Sequence, residues 1–251
     1  MRLQILSYGG GVQTVAMVAL VLQGRLPRPD MLVIADTSRE KQSTWDYLDE
    51  IVQPALHQEG MKVEIAPHTL ATVDLYAGNG DLLLPVYTAT GKLPTFCSNE
   101  WKQRVSMRYL KSQGVDQADV WIGFTRDEQS RVDKLRDNDS MPAWYNRTVP
   151  LYEMGLTRAD CRVIIDNYGW PVPPSSACWM CPNMDDLEWL EMKRDYPANF
   201  AQAVELEAEI QEWDGEIYLH SSRQSLAQVE FNPDGYSRKA GRHQCSMFCV
   251  I

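Results

Sequence analysis

The sequence predicts an α/β fold in which helices cover both faces of a parallel β-sheet. Three short apolar segments with strand character occur early in the chain, at residues 2–7, 31–36 and 62–66. Helical patterns separate them, at residues 12–23 and 45–56. Because strands buried on both faces are apolar throughout rather than alternating, this β-α-β-α-β order is typical of a parallel sheet with helices on both sides.

The same alternation continues further along the chain. Residues 99–112 have the pattern of a helix, and residues 119–124 have that of a fourth strand. Residues 67–96 show no clear helical or strand periodicity. They are expected to form an irregular segment that passes over the edge of the sheet. The polar, charged residues 126–140 are expected to form a mobile loop above the strand ends.

The second half of the chain is expected to be mainly helical. Thr157 and Asp160 form a capping-box pattern, which predicts a helix that ends near Asn167. Two further helices are expected at residues 185–195 and 198–213.

Length and composition restrict the class of protein. The chain has 251 residues, of which 44% are hydrophobic and 23% charged, as in ordinary globular proteins. We expect a nucleotide-binding α/β domain at residues 1–150 and a helical, cysteine-bearing part at residues 151–251. The net charge of −10 provides no overall field that would attract nucleic acid. Neither a membrane-spanning run nor a signal-peptide pattern is seen, so a cytoplasmic location is expected.

Three consecutive glycines, residues 9–11, separate the first strand from the first helix. Glycine lets the backbone turn tightly with accessible N–H groups, and a helix start adds donors and a positive dipole end, so an anion such as phosphate is favoured. A Walker loop is excluded because the first lysine is Lys41. Thr14 stands where a dinucleotide loop has its last glycine, although Asp36 could still serve as a ribose-binding acid.

The segment Ser7-Tyr8-Gly9-Gly10-Gly11-Val12-Gln13-Thr14 resembles the Ser-Gly-Gly-x-Asp-Ser/Thr loop of ATP pyrophosphatases, the PP-loop superfamily. It is most similar to the version in the phosphoadenosine phosphosulfate (PAPS) reductase-like branch, including its phage-encoded members. Gly9 replaces the loop serine, and Gln13 replaces the acid. The resemblance covers roughly residues 3–182. It implies a Rossmann-like domain of the adenine nucleotide α-hydrolase type, followed by the helical C-terminal part.

Two further segments carry the resemblance. Residues 36–40 are similar to the family's Asp-Thr-Gly-x-Glu segment near the adenine and ribose, and residues 123–131 to the segment whose acid and arginine face the substrate. The implied nucleotide-binding residues are Ser7, Gly9, Gly10, Gly11, Val12, Gln13, Thr14, Asp36, Thr37 and Glu40. The implied catalytic residues, among them the cations that would neutralise substrate charge, are Lys102, Arg126, Asp127, Glu128 and Arg131.

The six cysteines favour metal binding or catalysis over disulfides in a chain of this kind. Cys178 and Cys181 have the two-residue spacing that lets two thiolates face one metal or cluster, and Cys245 and Cys249 could do the same from the tail. Four thiolates can hold either zinc or an iron–sulfur cluster, and spacing does not choose between them. Cys161, on a predicted helix beside apolar residues, is expected to be a buried small hydrophobe.

Cys97 precedes Lys102 by five positions, which is similar to the Cys-Cys-x-x-x-Lys segment of iron–sulfur sulfonucleotide reductases, with Ser98 replacing the second cysteine. Cys178 follows 81 residues after Cys97, close to the family's spacing. The resemblance implies a 4Fe-4S cluster on the following ligands: Cys97, Cys178, Cys181 and either Cys245 or Cys249. The alternative is a structural zinc ion on Cys178, Cys181, Cys245 and Cys249.

The resemblance implies an enzyme that uses ATP, with Mg²⁺ bridging the phosphates, to adenylate an acceptor and transfer sulfur to it. The implied partners are an adenine nucleotide and a nucleobase or nucleic-acid acceptor, and a homo-oligomer is left open. Two alternatives remain: a sulfonucleotide (PAPS/APS) reductase, and a non-catalytic nucleotide or nucleic-acid binding module with structural zinc. The tail Gln244-Cys245-Ser246-Met247 differs from the Glu-Cys-Gly-x-His-like tail that a reductase would carry.

Overall fold

The computed structural model describes residues 2–138 and 140–234. The strands are β1 (Leu3–Ser7), β2 (Met31–Ala35), β3 (Val63–Ala66), β4 (Tyr87–Thr88), β5 (Gly91–Lys92), β6 (Ala118–Trp121), β7 (Tyr145–Thr148) and β8 (Ile217–Tyr218). The α-helices are α1 (Val12–Leu22), α2 (Gln42–Tyr47), α3 (Gln53–Gln58), α4 (Arg104–Ser112), α5 (Gln129–Arg136), α6 (Pro150–Glu153), α7 (Arg158–Asn167), α8 (Asp186–Asp195) and α9 (Pro197–Asp214). Leu48–Val52 and Ser98–Gln103 are π-helical, and His68–Leu70 and Arg126–Glu128 are 3₁₀-helical.

Five strands form one sheet in the order β3-β2-β1-β6-β7, and all four neighbouring pairs are parallel. The predicted α/β fold class is therefore confirmed. The chain adds β2 and β3 on one side of β1 and then returns to add β6 on the other. In such sheets the carboxyl ends of the two strands at this reversal border a crevice in which ligands bind.

Two apolar layers cover the sheet, one on each face. On one face, Leu6 and Leu32 pack with α1, the α2–α3 region and α7. On the other face, Ile5 and Val33 pack with α4 and α5. Adjacent residues of one strand therefore serve opposite layers, as the alternation of side chains along a strand requires.

A third apolar core lies outside the main sheet. It joins residues 82–86 to α8, α9 and β8, with Trp101 and Trp189 almost fully buried inside it. β4 pairs with β5 and β8 in a small antiparallel sheet. Segments from both halves of the chain build this core, just as α7 packs against α1. The division at residue 150 therefore stays a prediction.

One expectation was wrong in detail, and one strand was not predicted. Residues 126–140 are not a loop throughout, because they contain a 3₁₀ turn and α5. The cause is a second capping box, in which Glu128 accepts hydrogen bonds from the backbone N–H and hydroxyl of Thr125. β7 was missed because its sequence, Tyr-Asn-Arg-Thr, is polar; it occupies an edge of the sheet, where polar side chains are tolerated.

The helices of the second half lie close to their predicted bounds. Thr157 and Asp160 form the predicted capping box at the start of α7, and the hydrogen bonds from Thr157 lower the pKa of Asp160. Within the described ranges, no helix combines the length and the apolar character that spanning a membrane requires.

Candidate functional site

A cavity of about 630 Å³ opens at the carboxyl ends of β1 and β6. Ser7, the last residue of β1, lines it from one side, and Ile122 and Gly123, directly after β6, line it from the other. This is the strand pair at which the sheet order reverses, the usual position of ligands in open α/β sheets. The volume lies within the range typical of small-molecule sites.

The glycine turn forms one wall of this cavity. Gly10 has a φ of +70°, a left-handed conformation that glycine adopts without steric cost. A Cβ at this position would lie 2.5 Å from Cγ2 of Thr44, so the turn also needs glycine for space. Gly11 then serves as the N-cap of α1, whose first N–H groups have no acceptor within the helix. The hydroxyl of Thr14 donates to the carbonyl of Gly11 (3.1 Å) and fixes the turn from inside.

A segment from the second half of the chain holds the glycine turn from behind. The hydroxyl of Ser176 donates to the carbonyl oxygen of Gly9. The same segment is tied to the end of β2, because the Lys41 N–H donates to the Ala177 carbonyl (3.0 Å) and the Trp179 N–H to the Arg39 carbonyl (2.8 Å). The glycine turn and the cysteine pair that follows Ala177 are therefore parts of one hydrogen-bonded unit.

The segment after β6 closes the cavity on the opposite side. A Cβ on Gly123 would lie 3.1 Å from Cγ2 of Thr14 and 3.2 Å from Cβ of Gln13, so glycine permits a close approach here. The Gln13 amide donates to Oε2 of Glu128 (3.2 Å). Glu128 also pairs with Arg131, whose guanidinium lies 4.3 Å above the ring of Phe124. Packing and hydrogen bonds thus fix these side chains beside the glycine turn.

The charge of the cavity lining is opposite in sign to that of the whole chain. Its basic side chains are Lys92, Lys102, Arg131 and Arg158, and its acidic side chains are Asp127 and Glu128. A surplus of cations in a concave site favours an anionic ligand, and it does so in a chain with a net charge of −10. The hydroxyl of Ser7 lines the same wall, and this buried oxygen has no hydrogen-bond partner among the residues that the structure describes.

Three cysteines, Cys97, Cys178 and Cys181, line the far side of the cavity. Cys97 immediately precedes the π-helical segment Ser98–Gln103. Ser98 and Lys102, four residues apart on this segment, both line the cavity. Such segments occur often at functional sites.

The Cys178 thiol lies in a largely desolvated environment. Its sulfur is 3.7 Å from the Thr37 hydroxyl and 3.8 Å from Oε1 of Glu40. Burial, and then the negative charge of Glu40, raise the pKa of this thiol, whereas the nearby Lys102 lowers it. Metal binding needs the thiolate, so a bound cation would have to displace this proton.

Glu40 and Lys102 form a largely buried ion pair beside Cys178. Lys102 Nζ lies 2.5 Å from Glu40 Oε1, and the two side chains are only 20% and 2% exposed. The pair connects the end of β2 to the π-helical segment. Lys102, expected to neutralise a ligand, is therefore also the counter-ion of a buried carboxylate.

The described part of the chain contains no group of three or more His, Cys, Asp or Glu side chains arranged to hold a metal ion. Cys245 and Cys249, the expected tail ligands, lie outside the described residues. The donor chemistry nevertheless suits a thiolate-bound group, since three cysteines line one cavity and Trp101 and Met180 are buried in the apolar core beside them. Cys161 instead lies in the core below the sheet, where burial raises its pKa to about 12.

The structure brings most of the predicted site residues to the cavity and leaves five elsewhere. Those lining it are Ser7, Gly9, Gly11, Val12, Gln13, Thr14, Cys97, Lys102, Asp127, Glu128, Arg131, Cys178 and Cys181. Gly10 shapes the turn from behind, and Thr37 and Glu40 are buried against Cys178. Asp36 accepts a hydrogen bond from the Ser38 N–H (2.6 Å), and Arg126 is exposed, with its own N–H donating to Leu156.

The lining residues that the sequence analysis did not single out include three polar side chains that contact site residues. Arg158 follows the N-cap of α7, and its N–H donates to the Asp127 carboxylate (2.8 Å). Lys92, on β5, reaches Asn183 Oδ1 (2.5 Å) beside the cysteine pair. Ser176 contacts the glycine turn across the fold. The capping box of Thr157 and Asp160 was the one sequence signal for any of the three, because it places Arg158 at the start of a helix.

Comparisons with known proteins leave the family open. No protein-family model matches the chain, and no curated protein matches it. Among solved structures, the U34-tRNA thiolase NcsA from Methanococcus maripaludis, with its 4Fe-4S cluster, is similar at 15% identity and a TM-score of 0.43, over 85% of this chain and 73% of that one. The phosphoadenylyl-sulfate (PAPS) reductase from Candida auris, in a phosphate complex, is similar at 12% identity and a TM-score of 0.42, over 71% and 82%. At these values neither structure assigns a function to this chain.

Proposed function

We propose that this protein is a PP-loop enzyme of the PAPS reductase-like type that binds an adenine nucleotide and transfers sulfur to a nucleobase or related acceptor. One observation carries this proposal: the glycine turn and three cysteines line the same cavity. The turn suits a phosphate group, and the thiols suit a metal ion or a sulfur atom. Both would then act on the same bound substrate.

The nucleotide phosphates would lie against the glycine turn. The N–H groups at the start of α1 and the hydroxyl of Ser7, which has no partner within residues 2–138 and 140–234, supply hydrogen-bond donors. Arg131 and Arg158, which line the same cavity, supply positive charge. Fixed donors of this kind stabilise the charge that develops on phosphate oxygens when pyrophosphate leaves.

In the proposed reaction an oxygen of the acceptor attacks the α-phosphorus of ATP, and pyrophosphate leaves with the electron pair of the broken P–O bond. A sulfur nucleophile then attacks the adenylated carbon, and AMP leaves with its oxygen. This chain's own residues hold the nucleotide, neutralise the leaving phosphate and keep water from the adenylated acceptor. The apolar and proline residues around the cysteines, such as Leu93 and Pro94, suit the last of these tasks.

Cys97, Cys178 and Cys181 would hold a 4Fe-4S cluster, with Cys245 or Cys249 as a fourth ligand. When bound, such a cluster supplies electrons or a site for the transferred sulfur. The apolar surroundings of the three cysteines would limit water access and so tune the cluster's potential. Zinc on the two Cys pairs is the alternative metal.

A sulfonucleotide reductase is the second candidate function. The neutral Gln13 favours it, because a reductase holds its nucleotide without cutting a phosphate chain. In that reaction a tail cysteine would attack the sulfate sulfur of the nucleotide.

Serine in place of Cys178 is expected to remove most of the iron and acid-labile sulfide from anaerobically purified protein, because one of two adjacent thiolate ligands is lost. Serine in place of Cys161 is the matched control. That cysteine is buried in the apolar core around α1 and α7 and does not line the cavity, so Cys161→Ser should retain the wild-type iron content. Wild-type protein with stoichiometric zinc and no iron would contradict the cluster.

Pyrophosphate release tests the reaction itself. Anaerobic protein with ATP, sulfide and a pool of RNA should release pyrophosphate in an acceptor-dependent manner, and Cys178→Ser should lose the coupled sulfur incorporation. Nucleotide binding without pyrophosphate release under every condition would instead identify the reductase or the binding module.

A further inference from the structure

Gln13 and Glu128 form a hydrogen-bonded pair in the cavity wall. This pair distinguishes the cavity from a site whose glycine loop carries an acidic residue. Gln13 stands where the PP-loop pattern has its acid. Its side-chain nitrogen lies 3.2 Å from Glu128 Oε2. An ionised carboxylate can only accept hydrogen bonds, so the NH₂ group of Gln13 must face Glu128. The position therefore contributes a neutral amide to the cavity wall.

The Glu128 carboxylate is itself fully engaged. Oε2 accepts from the backbone N–H and the hydroxyl of Thr125, both at 3.1 Å, in addition to Gln13. Oε1 accepts from Arg131, and the Glu128 side chain is only 7% exposed. Mg²⁺ keeps several waters and binds through carboxylate oxygens in a nearly ideal octahedron. A buried carboxylate that already accepts four donors does not suit that role.

The other acidic side chain in the cavity lining also has a structural partner. Asp127 accepts the backbone N–H of Arg158 at the start of α7 (2.8 Å). The positive charge beside the glycine turn comes instead from Arg131, fixed between Glu128 and the Phe124 ring, and from Arg158. Guanidinium groups offer several donors in a rigid plane and suit phosphate oxygens.

We propose that this site binds nucleotide phosphates without a divalent cation at the loop, and that Glu128 is the positioning residue that makes this arrangement work. The inference rests on the proposed nucleotide site and differs from the Mg²⁺ requirement that the family resemblance implies. Glu128 acts through two neighbours, because it orients the amide of Gln13 and holds Arg131 toward the cavity.

Calorimetric titration with ATP, in excess MgCl₂ and in EDTA, tests the proposal on the wild-type protein. The two dissociation constants are expected to agree within about threefold, since magnesium screens the phosphates but meets no carboxylate ligand at the loop. Binding more than about tenfold weaker in EDTA would overturn the proposal. An absence of ATP binding in both conditions would instead reject the nucleotide site itself.

A charge exchange tests the role of Glu128. The double variant Gln13→Glu with Glu128→Gln keeps the total charge and moves the carboxylate into the loop. It is expected to bind ATP at least about tenfold more tightly with MgCl₂ than with EDTA, because a loop carboxylate can now ligate the metal. Glu207→Gln is the control, since Glu207 is also buried and accepts backbone N–H groups but does not line the cavity. Magnesium dependence unchanged from wild type in the double variant would reject the role of Glu128.

The single variant Glu128→Gln tests the role of Glu128 even if the double variant does not fold. This substitution removes the negative charge that holds Arg131. ATP affinity is therefore expected to fall about tenfold, to the same extent in MgCl₂ and in EDTA, which is the usual effect of losing a charge-assisted hydrogen bond. Unchanged ATP affinity in a folded Glu128→Gln protein would contradict a positioning role.

Discussion

Alanine in place of Gly10 is expected to lower the free energy of unfolding by about 3 kcal/mol and to weaken ATP binding by at least about tenfold. Two costs add at this position. The left-handed backbone costs an L-residue about 1–2 kcal/mol. The new Cβ would also lie 2.5 Å from Thr44 Cγ2, so the turn or α2 must shift. The measurements are urea unfolding and calorimetric titration with ATP.

Gly24→Ala separates the two costs. Gly24 has the same φ of +70°, but apart from its two chain neighbours no described residue has an atom within 4 Å of an added Cβ. This variant should lose only about 1 kcal/mol and bind ATP normally. Thr44→Ser removes the methyl group in the way, so adding it to Gly10→Ala should restore part of the stability. Equal losses in the two glycine variants would contradict a tightly packed turn.

Alanine in place of Lys102 is expected to lower the free energy of unfolding by about 3 kcal/mol, because it leaves the charge of Glu40 buried without its counter-ion. The Glu40 side chain is 2% exposed, and Lys102 Nζ lies 2.5 Å from it. Lys111→Ala is the control. Lys111 lies 4.0 Å from Asp116, donates to the Val115 carbonyl and contacts the Trp144 ring, but its side chain is exposed and Asp116 is almost fully so. A loss of only about 1 kcal/mol is therefore expected.

The double variant Lys102→Met with Glu40→Gln tests whether the cost comes from an unpaired charge. Replacing both partners removes the charge, so most of the stability should return. A Lys102→Ala protein no less stable than Lys111→Ala would contradict the buried pair. Denaturant unfolding of all four proteins at one pH measures these differences.

The first strand, the glycine turn and α1 could be predicted because their signals are local. An apolar strand, three glycines and an apolar helix follow one another directly in the sequence. Each can be recognised from a short run of consecutive residues. The same is true of the capping box at Thr157. β7 could not be predicted, because its polar side chains fit an edge strand whose pairing depends on β6.

The site was only partly predictable because its key contacts join distant residues. Gln13 and Glu128 are separated by 115 positions, and Ser176 and Gly9 by 167. The sequence pointed to Glu128 only through the family resemblance, without indicating its partner. The expected position of Glu40 near the adenine and ribose stays a prediction, and the fold adds two neighbours that the sequence did not indicate, Lys102 and Cys178. Burial and pairing of this kind depend on tertiary packing, which no local pattern contains.

The backbone amide signals of the ¹⁵N-labelled protein during a titration with ATP test the central claim most directly. We expect saturable shifts at residues 9–14 and 123–131, the two segments that border the cavity at the ends of β1 and β6. The separate surface cleft that includes Gln211 and Ser225 should remain unaffected. An absence of shifts, or shifts confined to that cleft, would contradict a nucleotide site at the glycine turn.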